Sequence, residues 1–149
     1  MLCLLMVSCS DLLQEESYIE TGKDNYVNNA SEAETVLMGV YKNLANEYLY
    51  SYHLSLLFTI STDIAQCEGS ANTSFREIPT NSHTASNAEI MRTWQKLYAS
   101  IYAANDFIET VSARKDGWGA SNRELAEIYL GEARALRALF YFELVRWYG

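Results

Sequence analysis

Proline and glycine are scarce in this sequence, which contains one proline and seven glycines in 149 residues. Both residues disfavour helix interiors, so their scarcity leaves room for long helices. Apolar side chains make up 49% of the chain. Neither a glycine-rich phosphate-binding loop nor an alternation of strand and helix patterns is present. The composition therefore indicates one helical domain with a substantial core.

Basic residues are also few, because 11 lysines and arginines stand against 19 aspartates and glutamates, for a net charge of −8. The basic residues form no cluster. Nucleic acids and anionic bilayers both attract clustered positive charge. We therefore expect no nucleic-acid partner, and we expect any attachment to a membrane to depend on a lipid anchor.

Side chains that bind metals or perform catalysis are sparse, with three cysteines and two histidines in the chain. His53 and His83 lie far apart, with no cysteine or carboxylate at ligand spacing, so we predict no metal site and no cofactor. The carboxylates lack the context of a glycosidase acid pair, and no nucleophile–histidine arrangement stands out. We therefore predict that the chain is not an enzyme and that Cys67 packs as a small hydrophobe.

The first residues indicate export. Residues 1–8 are uncharged and nearly all apolar, and they precede Cys9. This run is shorter than the roughly 20 residues that span a bilayer, and it fits the end of a signal peptide. A small residue directly before a cysteine is similar to the processing site of bacterial lipoproteins, in which the cysteine is acylated. We predict lipidation at Cys9 and an extended tether within residues 9–30; the alternative is a frayed terminus with an incidental thiol.

Two helices are predicted in the first half of the folded region. Ser31 and Glu34 form a capping box, and apolar residues then recur in steps of three and four, which predicts a helix over residues 31–50. A looser helical spacing predicts a second helix over residues 52–65. A strand is the alternative there, because alternate residues from Leu54 to Ile60 are apolar, but the lack of a partner strand favours the helix.

Two longer helices and a loop are predicted in the second half. Periodic apolar residues predict a helix over residues 87–111. Ser121 and Glu124 form a second capping box, which begins a helix that runs to the end of the chain. Residues 66–87 are rich in glycine, serine, asparagine and threonine and indicate a surface loop. A loop of this length inside a compact domain is often functional.

These patterns predict an all-α fold of stacked antiparallel helix pairs over residues 31–149. The first two helices would form one pair and the last two another. The last helix is apolar on most of its surface, and such a helix must be buried between other helices. Because the chain supplies too few helices to cover it, we expect residues 31–149 to be a helical region truncated at its C-terminal end.

The last helix also carries a family resemblance. Residues 131–149, GEARALRALFYFELVRWYG, resemble the signature of the SusD/RagB family of nutrient-uptake lipoproteins. Trp94 and Tyr98, followed by an Ala-Asn pair, match the family pattern in the preceding helix. Cys9 and the residues after it are similar to the family's lipidated start, and Asp63 stands where many members carry an aspartate. The resemblance covers nearly the whole chain and implies the N-terminal part of a SusD-like fold, which has a framework of tetratricopeptide-like helix pairs.

The resemblance also implies a function and a location. A SusD-like protein is a non-enzymatic, lipid-anchored, surface-exposed protein of the outer membrane. It binds oligosaccharide or another complex nutrient and delivers it to a SusC-like, TonB-dependent transporter. The alternative is a helical-repeat module for protein–protein interaction without glycan binding. A further alternative is an enzyme whose catalytic residues lie outside this sequence.

Two sets of residues are candidates for sugar contact. Aromatic residues on the two long helices recur at helical spacing, so we interpret them as packing residues. They are Trp94, Tyr98, Tyr102, Tyr129, Phe140, Tyr141 and Trp147. The predicted ligand residues lie instead in or beside the loop over residues 66–87.

Each predicted ligand residue has a stated chemical role. Phe75 would stack on a pyranose ring. Arg76, Asn81 and His83 would hydrogen-bond sugar hydroxyls. Asp63, at the end of the second helix, would accept from a hydroxyl or cap the loop. The alternative is an ordinary solvated loop or a contact with the transporter.

Overall fold

The computed structural model describes residues 26–67 and 73–149, and in these ranges it is helical without strands. The predicted all-α class is therefore confirmed, while Cys9 and the predicted signal peptide lie outside the described residues. Within the same ranges, no helix combines the length and the apolarity needed to cross a bilayer. The helices are α1 Ala30–Lys42, α2 His53–Ile60, α3 Thr73–Arg76, α4 Ala88–Arg114 and α5 Ala120–Tyr148, with a 3-10 turn at Lys115–Gly117 between the last two.

The long helices α4 and α5 form an antiparallel pair. Near the start of α4, the carbonyl of Ile90 accepts a hydrogen bond of 2.8 Å from the hydroxyl of Tyr148, near the end of α5. At the opposite end, Lys115 pairs with Glu127 at 2.9 Å. Opposite ends of the two helices thus meet, as the predicted pairing of the third and fourth helices requires.

Helix α1 packs on this pair. Its flanking residues run antiparallel to α4, because the Val27 carbonyl accepts from Arg114 at 3.2 Å while Asn43 accepts from Lys96 at 2.7 Å. On its other side, the Tyr41 hydroxyl donates to a carboxylate of α5 at 3.0 Å. The sequence predicted α2 as the partner of α1. The main partners are instead α4 and α5, while α2 packs on α4.

Two overlapping sequence patterns compete for the start of α1, and the earlier one forms the cap. Asn29 is extended, and its side-chain oxygen accepts from the Glu32 backbone N–H at 3.0 Å. The Glu32 carboxylate reaches back to the Asn28 N–H at 2.7 Å. The prediction of Ser31 as the cap is therefore wrong by two residues. Residues 26–29 of the predicted tether also belong to the packed body, since Val27 is fully buried.

Other helix ends also differ from the predictions. Helix α1 ends at Lys42 and α2 at Ile60, so both stop earlier than predicted, and turns follow them. The predicted capping box at Ser121 is wrong, because α5 begins at Ala120 with Gly119 as its cap residue. Helix α4 begins within one residue of its predicted start, and the side chain of Asn87 caps it by accepting from the N–H groups of the first turn.

The main core lies between α1, α4 and α5. Phe107 and Phe140 are fully buried at its centre, and burying each side chain contributes about 1.5–3 kcal/mol. A second, smaller cluster forms around Leu57 and Ile78, between α2 and the loop before α4. Cys67 packs half-buried against this second cluster, consistent with its predicted role as a small hydrophobe.

Candidate functional site

A cleft of about 160 Å³ opens where the loop before α4 meets the ends of α2 and α5. Its floor is apolar, and its rim carries hydroxyl, amide, imidazole and indole groups. The lining residues are Leu57, Ser61, Ile78, Asn81, His83, Ile90, Trp147 and Tyr148. Pockets that enclose a whole drug-sized ligand measure about 300–1,000 Å³. This cleft therefore has room for part of a larger ligand.

The structure brings two of the predicted ligand residues into this cleft and leaves three outside it. Asn81 and His83 line the rim. Asp63 and Arg76 are exposed at other positions, and Arg76 contacts Thr73 of its own helix at 3.4 Å. The predicted set is thus spread over the loop surface rather than gathered at a single point.

The remaining predicted residue, Phe75, is partly used by the fold. Its ring lies 5.5 Å from the His53 ring, centroid to centroid, in an edge arrangement. It is half-buried against the second apolar cluster. Part of its surface therefore faces protein, and only the remainder is open to a ligand.

The side chain of Asn87 ties the loop that carries Asn81 and His83 to the start of α4. The Asn87 side chain donates to the Ser74 carbonyl at 2.8 Å and to the Glu77 carboxylate at 2.9 Å. Its oxygen simultaneously accepts from the N–H groups of Glu89 and Ile90, which caps α4. Asn87 is itself buried, so the loop is built into the domain.

Asn81 occupies a left-handed turn, with φ 51°. Its N–H donates to the Ile78 carbonyl at 3.1 Å, which closes the turn. Asparagine tolerates this conformation better than other residues with side chains, except aspartate. The backbone requirement thus explains an asparagine here, and the turn places its amide at the rim of the cleft.

The wall of the cleft that α5 contributes is held by a buried carboxylate, Glu143, which is 2% exposed. It accepts hydrogen bonds from the Trp147 indole at 3.1 Å and from the Tyr50 hydroxyl at 2.6 Å, and it pairs with Arg146 at 2.7 Å. Burial, together with the bond to Glu143, raises the pKa of Tyr50 to about 12. These contacts fix the orientation of the indole in the cleft. Sequence reasoning placed Trp147 only in the scaffold and missed its position in this wall.

A second buried polar group lies behind the loop. His53 Nε2 is 3.5 Å from the Glu89 carboxylate, which also pairs with Arg92 at 2.8 Å. Burial lowers the pKa of His53, although the Glu89 charge acts in the opposite direction. No three histidine, cysteine, aspartate or glutamate side chains in the described residues are grouped to hold a metal ion.

The interpretation of the helical aromatic residues as packing residues holds for some of them and is wrong for others. Phe140 is fully buried, but Trp94, Tyr98, Tyr102 and Tyr141 are 40%, 45%, 69% and 46% exposed. These aromatic residues do recur at helical spacing, but some of them lie on a second, exposed face of each helix and not on the face that packs in the core. Period alone does not distinguish the two faces of a helix that is apolar on both.

The fold and the cleft together define a helical scaffold with a partly aromatic, hydrogen-bonding surface, of the kind that suits ligand binding. Comparison with known proteins identifies the family. A SusD-like family described as "Starch-binding associating with outer membrane" matches residues 11–149, and the chain belongs to this family. The resemblance noted in the sequence is therefore confirmed.

Two relatives show how much of a SusD-like protein this chain represents. A SusD-like protein of Formosa agariphila is 25% identical over 152 residues, which covers 95% of this chain and 28% of that protein. The crystal structure of a SusD homologue from Bacteroides thetaiotaomicron matches with a TM-score of 0.76 and 50% identity, covering 86% of this chain and 24% of that one. The chain thus spans about a quarter of each relative.

Proposed function

We propose that this chain is the N-terminal, helical part of a non-enzymatic glycan-binding lipoprotein, which delivers oligosaccharide to a TonB-dependent outer-membrane transporter. The observation that carries the proposal is the match to a starch-binding, outer-membrane-associated family over residues 11–149. The protein would be anchored through Cys9 and exposed at the cell surface. Binding and transfer need no covalent step and no cofactor.

The cleft supplies the contact chemistry for this proposal. Sugars present an apolar face and a rim of hydroxyls, so they suit an aromatic wall beside hydrogen-bonding groups. Trp147 provides an aromatic wall, and Asn81 and His83, which line the same cleft, provide donors and acceptors. Because the cleft is small, the chain would hold one part of an oligosaccharide. Asp63, Phe75 and Arg76 would contact the ligand, if at all, further along the loop surface.

Affinity electrophoresis tests the proposal. The purified protein is run in native gels that contain starch or one of a panel of other polysaccharides. Retarded migration in at least one gel supports glycan binding. If no polysaccharide retards the protein and a peptide library yields a tight ligand, the helical-repeat interaction module is the better description. Released reducing sugar would instead show an enzyme.

Matched variants test the contribution of the cleft. Asn81→Gly keeps the left-handed turn and removes the amide, and His83→Ala removes the imidazole from an exposed position. We expect both to reduce retardation by the polysaccharide that binds. Thr84→Ala, in the same exposed loop but outside the cleft lining, is the control and should leave the retardation unchanged.

The lipid anchor needs a separate test, because it rests on the residues before Cys9. The protein is expressed in a Gram-negative host fed with labelled palmitate, and the mature N-terminus is analysed by mass spectrometry. We expect a mature chain that begins at an acylated Cys9, with the label lost in Cys9→Ser and retained in Cys67→Ala. A mature chain that keeps residues 1–8 would contradict the anchor.

The transporter partner is tested by affinity purification from solubilised outer membranes of the native host. We expect a TonB-dependent transporter to co-purify with the tagged protein in stoichiometric amount. Recovery of the protein from those membranes without a transporter would argue against the delivery step, while leaving glycan binding as a separate question.

A further inference from the structure

The cleft continues into further hollows between α2 and the end of α5. Ser61 and Trp147, which line the cleft, also line a small hollow together with Phe58 and Arg146. Phe58 and Arg146 in turn line another hollow, of about 350 Å³. We call this one the Arg146 hollow, and its lining is Tyr50, Leu54, Ser55, Phe58, Thr59 and Arg146. Shared lining residues thus join the cleft and the Arg146 hollow into one open path.

The guanidinium of Arg146 is held in place by an ion pair and by three aromatic rings. Its Nη2 atom lies 2.7 Å from the Glu143 carboxylate. Its central carbon lies 5.7 Å from the ring centres of Phe142 and Trp147 and 6.0 Å from that of Phe58. At these distances a cation is attracted to an aromatic face. Because the fold already orders this side chain, binding a ligand there costs little additional side-chain entropy.

Arg146 also keeps hydrogen-bonding capacity for a ligand. Its side chain is 43% exposed. A guanidinium has five N–H donors, of which a bidentate carboxylate uses two. Glu143 does not depend on Arg146 alone, because it also accepts hydrogen bonds from Tyr50 and Trp147. A second anion can therefore contact the exposed part of the guanidinium.

Hydroxyl groups beside Arg146 have acceptor capacity for sugar hydroxyls. The Thr59 hydroxyl donates to the Ser55 carbonyl at 2.8 Å. The Ser61 hydroxyl donates to the Phe58 carbonyl at 2.9 Å. Each hydroxyl proton is thus used within α2 or its last turn, and each oxygen remains an acceptor. The Phe58 ring, which is 58% exposed, adds an apolar surface for the face of a sugar.

The charge along this path differs from that of the chain as a whole. The chain has a net charge of −8. Among the described residues that line the cleft and the two hollows, however, none is an aspartate or a glutamate, and Arg146 carries a positive charge. An acidic ligand is repelled by most of the surface of an acidic protein and attracted to an arginine in a lining without carboxylates.

We infer that the Arg146 hollow is a second subsite that takes an acidic sugar, whose carboxylate or sulfate group pairs with Arg146. The planar guanidinium presents paired N–H groups that match two oxygens of such an anion. The inference rests on the proposed glycan-binding function and specifies its ligand class. The ligand is an acidic oligosaccharide with one sugar in the cleft and an acidic sugar in the Arg146 hollow.

Paired oligosaccharides that differ only in charge test the inference by isothermal titration calorimetry. One pair is oligogalacturonate and its methyl ester, and the other is a κ-carrageenan oligosaccharide and its desulfated form. We expect the acidic member of at least one pair to bind about threefold or more tightly than its neutral partner. The pair that shows this preference identifies the anion as a carboxylate or a sulfate.

Variants of Arg146 test whether this residue causes the preference. Arg146→Gln should remove it, so that the acidic and neutral members bind equally, and Arg146→Lys, which keeps the charge, should retain part of it. The matched control is Arg134→Gln, because Arg134 is an exposed arginine of the same helix outside the three linings. It should keep the full preference.

A second variant applies if Arg146→Gln does not fold. Ser55→Asp places a carboxylate in the Arg146 hollow at an exposed position in the first turn of α2, where a negative charge favours the helix. It should also remove the preference for the acidic member. Ser51→Asp, at an exposed position outside the three linings, makes the same change in net charge and should keep the preference.

The outcomes separate this inference from the proposed function. Equal affinities within both pairs, or no binding of all four oligosaccharides while another polysaccharide retards the protein in gels, would overturn the inference and leave glycan binding intact. A preference that survives Arg146→Gln or Ser55→Asp would overturn it as well. If no glycan binds in either assay, the proposed function fails and the inference fails with it.

Discussion

At the scale of single residues, buried polar side chains hold the two walls of the cleft in place. Asn87 anchors the loop wall, and Glu143 anchors the Trp147 wall. A buried carboxylate is tolerated only when hydrogen bonds and a counter-charge compensate its lost hydration. Glu143 meets that condition through the Tyr50 hydroxyl, the indole and Arg146. The hydrogen bond from the Trp147 indole to Glu143 holds the Trp147 ring in position.

Replacing Glu143 tests this role. Glu143→Ala should lower the free energy of unfolding by about 2 kcal/mol, because it removes the acceptor that Tyr50, Trp147 and Arg146 share. Glu143→Gln, which keeps an acceptor, should cost less. Urea denaturation measures both, with Glu109→Ala at an exposed position of α4 as the control, expected within about 0.5 kcal/mol of wild type. An equally small change for Glu143→Ala would contradict the assigned role.

His53 makes a prediction for the pH dependence of stability. Burial lowers its pKa from the ordinary value of 6.5. The unfolded chain therefore binds the proton more readily than the folded one between the lowered pKa and 6.5. The contribution of neutral His53 is fully present above pH 6.5 and is lost as the pH falls towards the lowered value. His53→Gln should reduce the loss of stability between pH 7 and pH 5.

Urea denaturation at several pH values checks this, with His83→Gln, at an exposed histidine, as the control. The charged groups that act on His53 are Glu89 and Arg92 of α4 and Glu47 of the preceding turn, and they are present in every variant. Parallel pH profiles for wild type and His53→Gln would show that His53 does not carry the dependence.

The chemical types of the loop residues predicted part of the lining of the cleft. Asn81 and His83 were identified because they are hydrogen-bonding residues in a long loop without helical period. Trp147 was assigned to packing because it has that period. Its place in the cleft depends on the approach of α2 and the loop to the end of α5, which no local pattern encodes. Glu143 stands four residues before Trp147, a spacing that places both side chains on the same side of a helix. That spacing was the signal available in the sequence.

At the scale of elements, Asn87 couples the start of α4 to the loop. Its oxygen caps the helix, and its amide nitrogen holds the Ser74 carbonyl and the Glu77 carboxylate. The two functions belong to different atoms of one side chain, so they are separable by substitution.

Asn87→Asp should keep the cap and release the loop, because it retains an acceptor for the helix N–H groups and loses both donors while facing Glu77. Hydrogen exchange followed by mass spectrometry should show faster exchange over residues 77–86 with little change in α4. Asn87→Ala should accelerate exchange in both segments and cost about 1–2 kcal/mol. Unchanged loop exchange in Asn87→Asp would mean that other contacts hold the loop.

The long helices were predicted within a few residues, and the short ones less well. Steps of three and four over many turns define α4 and α5 clearly. At α1, two overlapping patterns, Asn29 with Glu32 and Ser31 with Glu34, satisfy the same capping rule, and only the packing of Val27 selects the first. Helix α3 and the turn after it are set by tertiary contacts such as that of Ile78 with the second cluster.

At the scale of the whole molecule, the chain combines a packed three-helix core with two outward-facing surfaces. One is the cleft, with its polar rim. The other is the exposed apolar face of α5, which includes Ile128, Phe142 and Val145. The sequence predicted that the last helix is apolar on most of its surface and must be buried between other helices. The structure divides that surface into a core face, which the chain covers itself, and the opposite face. A local pattern reveals both faces but does not reveal which neighbour covers each.

The central claim is that this part of a SusD-like protein contacts a glycan through the cleft. The three tryptophans of the chain, Trp94, Trp118 and Trp147, give three indole N–H signals in a nitrogen-15 NMR spectrum. Starch oligosaccharides, or fragments of the polysaccharide that retards the protein, are titrated into the labelled protein. The account predicts a saturable shift of the Trp147 signal that His83→Ala weakens, while the Trp118 signal stays in place. A Trp147 signal that does not move at saturating oligosaccharide would contradict it.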